Sequence, residues 1–282
     1  TKSLSIYLLL AIGLKGGVAL RETSPSELWA PALATLVLAA AIPLVTFAAA
    51  MRVLRLSRAD SAAMAAHYGS VSAVTFAASI TFLQASGLEP EGFMPTLLAL
   101  LEVPGIIIAL LLAGSVRGGR RSRGEVLRET LTGTSIVLLV GGIVIGAVAG
   151  SDGYATVEPF FGTLFYGMLT LFLLDLGITA ASRAKDLPRT ALRIVPFGIL
   201  FPIPLGAAGV AMGVTSGLSV AGATVLGAMA ASASYIAAPA AVRIALPEAN
   251  PGIYLTSAVA ITFPFNLIAG IPLYYLIATG IG

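Results

Sequence analysis

Long apolar runs separated by short polar turns set the pattern of this chain. Nine such runs can be counted, roughly 3–20, 29–51, 61–84, 92–115, 130–150, 159–182, 194–214, 219–242 and 252–280. Each is close to the ~20 residues that an α-helix needs to cross the hydrocarbon core of a bilayer. The turns between them are brief, for example "RETSPSE", "SGLEPEG", "SDGYATVEP" and "ALPEANPG". The longest connection, "VRGGRRSRGEVLRE", carries most of the arginine. The pattern predicts an all-α polytopic membrane protein without aqueous domains.

Composition agrees with the pattern. The chain is 57% hydrophobic and 10% charged, too few charges to cover a soluble protein of 282 residues. Cysteine is absent, which excludes disulfides and thiolate chemistry, and the net charge of +3 is too small and scattered for nucleic-acid binding. Basic loops (Arg52, Arg55 and Arg58; Arg117 to Arg128; Arg183 to Arg193) alternate with loops that carry Glu89 and Glu91, or Asp152 and Glu158. The positive-inside rule puts the basic set in the cytoplasm and the C-terminus outside, as expected for a bacterial inner-membrane protein.

An internal repeat runs through the chain. "AIGLKGG" around Gly13 matches "DLGITAA" around Gly177 at an offset of 164. "AAIPLV" at Pro43 matches "FPIPLG" at Pro204, offset 161, and "YGSVSAV" at Ser70 and Ser72 matches "ASASYIA" at Ser232 and Ser234, offset 162. An odd number of spans lies between the copies, so they are expected to be inverted, as in secondary transporters. The second copy opens with the span 130–150, which has no partner in the first. A tenth helix is therefore expected upstream of Thr1, in a 5+5 design of which nine helices are present.

Each copy holds one polar, conformationally loose span at the same register: "HYGSVSAVT" in the first, and "ASASYIAAPAA" with Pro239 in the second. Gly69 and Pro239 are poor helix residues, and serines compete with the backbone for hydrogen bonds. Breaks inside a membrane are tolerated where the freed backbone lines a cavity or meets protein. The two are expected to meet near the midplane. Half-helix N-termini present N–H donors and the positive end of the dipole, which suits a small anion. Gly69, Ser70, Val71, Ser72, Ser232, Ala233, Ser234 and Tyr235 are the candidate substrate-binding residues. The bland alternative is that small residues here only allow close helix packing.

Other polar groups within spans are His67, Lys15, Glu102 and Asp175. A single histidine cannot build a metal site and is expected to make a structural hydrogen bond. Lys15 could pair with Glu102 or Asp175, although an intramembrane carboxylate is a functional hypothesis by default. Glu102 precedes Pro104, and its register in the other copy falls at "ITFPFN". Thr75, Glu102, Thr262 and Asn266 form the candidate sodium neighbourhood. No cofactor is expected beyond a coupling ion.

The segments "GSVSAVT", "EVPG", "ASASYIAAPAAVRIALPEANP" and "ITFP" resemble the SbtA-type sodium-dependent bicarbonate transporter family. The first matches a G-x-V-S-x-x-T pattern at Gly69, Val71, Ser72 and Thr75. The second broken helix matches at Ser232, Ser234, Pro239, Arg243 and Ala249-Asn250-Pro251. The resemblance implies two inverted halves, a homotrimer, an elevator-type motion and sodium-driven bicarbonate uptake. It implies a gate domain over 1–26 and 129–186, a transport domain over 27–115 and 187–282, and a cytoplasmic loop over 116–128. It also implies a PII-like regulator on the cytoplasmic side. The chain departs from the family pattern at Tyr235, where other members carry an aspartate, at Val74 and at Ala233. Its cytoplasmic loop is also shorter.

Rival readings differ in the groups they need. A cation/proton antiporter would place carboxylates beside the breaks, where none stands. A sodium- or proton-coupled carrier of another small organic anion would use the same broken helices. An intramembrane hydrolase needs a nucleophile–base pair or a metal motif, yet HExxH is missing and there is one histidine. The reading is a transporter and no enzyme.

Overall fold

The computed structural model describes residues 2–113, 128, 131–184 and 191–282. Among them every regular element is helical. The chain opens with α1 (Lys2–Glu22) and α2 (Pro25–Ala49), the latter carried on by a wide π turn over Ala50–Leu54. The third apolar run is split into α3 (Arg58–Gly69) and α4 (Ala73–Ala85). Then come α5 (Met94–Ala113), α6 (Thr134–Ala155) and α7 (Phe165–Ala184). Two helices nearly end to end, α8 (Ala191–Leu200) and α9 (Pro202–Thr215), make one further span. The eighth run is split again, into α10 (Val220–Ala230) and α11 (Ala237–Ala245). The last span is α12 (Pro251–Leu255), α13 (Phe263–Phe265) and α14 (Ile271–Ile281), joined by π turns over Thr256–Thr262 and Asn266–Gly270.

Seven of these stretches are long and apolar enough to cross a membrane among the described residues. The two expected runs outside that set, 61–84 and 219–242, are the two that split. Each half-helix has 9 to 13 residues, which spans ~14–20 Å, about half the bilayer core. Large apolar side chains face outward on the long spans, with Val148 77% and Ile268 80% exposed. In water these would be a liability; against lipid they are the expected surface. The multi-pass membrane reading of the composition therefore holds. The connection 116–128, apart from Arg128, and the part of the basic turn at 185–190 lie outside the described residues, as does any regulator contact there.

Glycines decide how closely the helices approach. α1 and α6 pack along most of their length through Gly13, Gly17, Gly142 and Gly146. A Cβ at Gly13 would stand 3.0 Å from the Gly142 Cα, and one at Gly17 would overlap the Ile143 carbonyl. This is the small-xxx-small packing of membrane helices, where dispersion replaces the hydrophobic effect. α2, α3 and α5 form a second packed group, and α9, α10 and α14 a third.

Pro239 does not make the second break. It lies in the first turn of α11, where a missing N–H costs little, and the break falls upstream at 231–236.

Candidate functional site

The first break is short. α3 ends at Gly69 because Ser70 turns extended (φ −105°, ψ 147°). Ser72, also extended, caps α4: its Oγ accepts from the Thr75 amide at 3.1 Å. Gly69 is squeezed from both sides. A Cβ there would come 2.8 Å from Pro43 Cβ, and one at Gly105 of α5 would overlap the Gly69 carbonyl oxygen. The break is thus clamped between backbone and proline.

The second break crosses the first and satisfies its backbone. The Ser72 amide donates to Ser232 Oγ at 2.9 Å, and Ser232 Oγ donates to the Met229 carbonyl at 2.8 Å. The Ser234 amide donates to the His67 carbonyl at 2.7 Å and to the Ser70 carbonyl at 3.2 Å. His67 O belongs to the last turn of α3, one of the carbonyls a helix end leaves open. Asn266 reaches in from the last span and gives its side-chain amide to the Ala231 carbonyl at 2.9 Å. The freed backbone groups of one break are therefore bonded by the other, as irregular backbone at membrane depth requires.

A recess lies where the two half-helices begin. Val71, Ser72 and Ala73 at the start of α4 line it, with Ser234, Tyr235 and Ile236 at the start of α11. Leu9 of α1, Glu102 of α5 and Ser135 of α6 complete it, around about 220 Å³ of empty space that includes its mouth. Both helix N-termini bring positive dipole ends to the recess, with the Thr75 amide capped by Ser72 Oγ and the Ala238 amide by Ser234 Oγ. Ser70 Oγ and the Tyr235 hydroxyl are buried nearby and make no hydrogen bond of good geometry. The Tyr235 hydroxyl points toward Ser72, and its ring packs edge-on against Phe263 at 5.5 Å. Buried, unpartnered hydroxyls are uncommon and call for a ligand or water.

The candidate sodium residues are divided. Glu102, 5% exposed, lines the recess. Thr75 stands in the first turn of α4, its amide on Ser72. Thr262 is engaged elsewhere, donating to the Gly198 carbonyl at 2.8 Å and sharing a 2.6 Å hydrogen bond with the Tyr68 hydroxyl. Asn266 holds Ala231 through its amide and accepts from Tyr274 at 3.2 Å. Lys15 lines a different recess from Glu102. His67 is fully buried, and its Nδ1 donates to the Ala63 carbonyl at 2.7 Å, a structural bond within α3.

The model of the Na+-dependent bicarbonate transporter superfamily matches residues 1–279. The chain belongs to this superfamily. None of the curated proteins compared with it matches. Membership in a transporter superfamily implies transport rather than catalysis.

Two features of this superfamily member gave little warning in the sequence. Leu9 and Ser135 reach the recess from helices in which nothing local marks them out. Asp60 and Glu91 stand at polar turns in the sequence, yet each holds a distant backbone amide. Asp60 Oδ1 accepts from the Asn250 amide at 2.7 Å, and Glu91 Oε1 accepts from the Ser219 amide at 2.6 Å. The signal was available: Asp60 and Ser219 are 159 residues apart, as are Glu91 and Asn250.

Proposed function

We propose that the protein is a sodium-coupled symporter that takes bicarbonate into the bacterial cytoplasm, with the anion held between the N-termini of α4 and α11. The observation that carries this reading is the recess itself: two half-helix N-termini and the buried Tyr235 hydroxyl converge on it. The sodium requirement has a physical basis. A buried carboxylate, Glu102, lines the space that the helix dipoles prepare for an anion. Two like charges there would repel strongly at low dielectric unless a cation or a proton joins them, and of the two sodium is the ion that the family description names. Sodium beside Glu102 makes the loaded site near neutral and couples the two solutes.

The repeat offsets, the mutual bonding of the breaks and the paired carboxylate ties support two inverted halves. Leu9 and Ser135 belong to the part assigned as gate, 1–26 and 129–186. The other lining residues belong to the transport part, 27–115 and 187–282. A site shared across that seam favours an elevator-type motion within a homotrimer. The basic loops face the cytoplasm in this reading, with the C-terminus outside and a PII-like regulator on the cytoplasmic face.

Replacing Ser72 or Ser234 by leucine fills the recess and is expected to abolish uptake while the protein still inserts in the membrane. Normal transport by both variants would remove the site. Tyr235 supports a second reading, a carrier of another small organic anion, because a phenol stands where other members have a carboxylate. Formate or acetate that competes with bicarbonate at equal concentration would favour it.

A further inference from the structure

A second recess lies between α1, α4, α5 and α7, around about 430 Å³ of empty space that includes its open mouth. Ile12, Lys15, Phe76, Thr81, Gln84 and Tyr166 are among its lining residues, and none of the residues lining it is acidic. It shares a seam with the site already described. Along α1, Leu9 lines the central recess, while Ile12 and Lys15, one and two turns on, line this one. Along α4, Ser72 and Ala73 line the central recess, while Phe76, Ala77, Thr81 and Gln84 follow in steps of about a turn. The two helices therefore carry one continuous stripe. Phe76, 1% exposed, stands between its two ends.

Polar groups in this recess are arranged rather than scattered. The Tyr166 hydroxyl donates to Gln84 Oε1 at 2.7 Å, and the Gln84 amide donates to Glu89 at 2.9 Å. That fixes Gln84 at the far end of the stripe. Lys15 is exposed and stands seven residues before the end of α1, ~10 Å from it along the axis. An ammonium at that depth is expensive and marks a pathway by default.

We propose that this recess is a second, outer site for the transported small oxyanion, with Lys15 supplying the attracting charge and Phe76 separating it from the central site. A cation in a low-dielectric cleft raises the local concentration of anions ahead of the binding step. The inference rests on the proposed function for the identity of the anion and for the side on which the recess opens.

The absence of cysteine makes the test direct. Thr81→Cys, with Ile80→Cys as a second position, is labelled in intact cells by membrane-impermeant thiol reagents that are anionic or cationic. The anionic reagent is expected to react about five-fold faster or more relative to its rate with a free thiol. Lys15→Gln abolishes that preference, Lys15→Arg keeps it, and added bicarbonate slows the anionic reaction. In uptake assays Lys15→Gln raises KM for bicarbonate more than it lowers kcat. Equal rates for the two reagents would overturn the proposal, and so would labelling from the cytoplasmic side alone. Labelling indifferent to bicarbonate would do the same and would assign the charge to a lipid phosphate. Charge-selective labelling in a protein without bicarbonate uptake would keep the outer site and remove the transport reading.

Discussion

Gly105 touches Gly69 backbone to backbone, and that contact sets the position of the first break. A methyl group at Gly105 would fall on the Gly69 carbonyl oxygen, which is backbone and cannot swing away. Gly105→Ala is expected to lower stability by about 1–3 kcal/mol, as overpacking does, and to reduce uptake further than the lost stability explains. Thermal unfolding in detergent beside an uptake assay would measure both. Ser232→Ala is a milder change that leaves the Ser72 amide without its acceptor. A loss of about 1–3 kcal/mol is expected, with the recess still open. At this scale the sequence was readable where a residue was out of place. Gly69, Ser70, Ser72, Ser232 and Ser234 stand out because small polar residues interrupt apolar runs. Leu9 and Ser135 do not, because nothing local distinguishes a residue that faces a recess from one that faces a neighbouring helix.

The half-helices are held at both ends, by each other at the crossing and by carboxylates at the rim. Ser57 caps α3 and bonds Asp60 at 2.7 Å, and Asp60 in turn holds the Asn250 amide. At the other rim Glu91 accepts the Ser219 amide just before α10, whose N-terminus is its favourable dipole end. Glu91→Gln keeps an acceptor but removes the charge, and Asp60→Asn does the same on the other side. Each is expected to cost about 1–2 kcal/mol, and the two losses to add because the pairs share no partner. Unfolding midpoints of the single and double variants would check this. The break in 61–84 was legible within a residue or two. The second was displaced toward Pro239, because proline is a poor guide when it lies in a first turn. The π turns of the last span were missed altogether. Pro264 removes one backbone donor there and the ladder widens around it, but an apolar run with one proline reads as a plain helix. The sodium set drawn from repeat register is divided in the structure, with Glu102 at the recess and the others beside it in the packing. Register aligns the copies in sequence, while Thr262 and Asn266 are spent on Gly198, Tyr68 and Ala231.

Among the described residues an apolar outer surface surrounds a polar crossing of two broken helices. The superfamily description joins sodium to bicarbonate, and the recess brings two positive helix ends to one buried carboxyl group, Glu102. The proposed site requires anion and sodium to bind together. Labelled bicarbonate uptake into proteoliposomes of the purified protein, under an inward sodium gradient or an equal potassium gradient, measures it most directly. Rapid uptake with sodium and background uptake with potassium are expected, with Glu102→Gln losing the sodium dependence. Equal rates in sodium and potassium would contradict it.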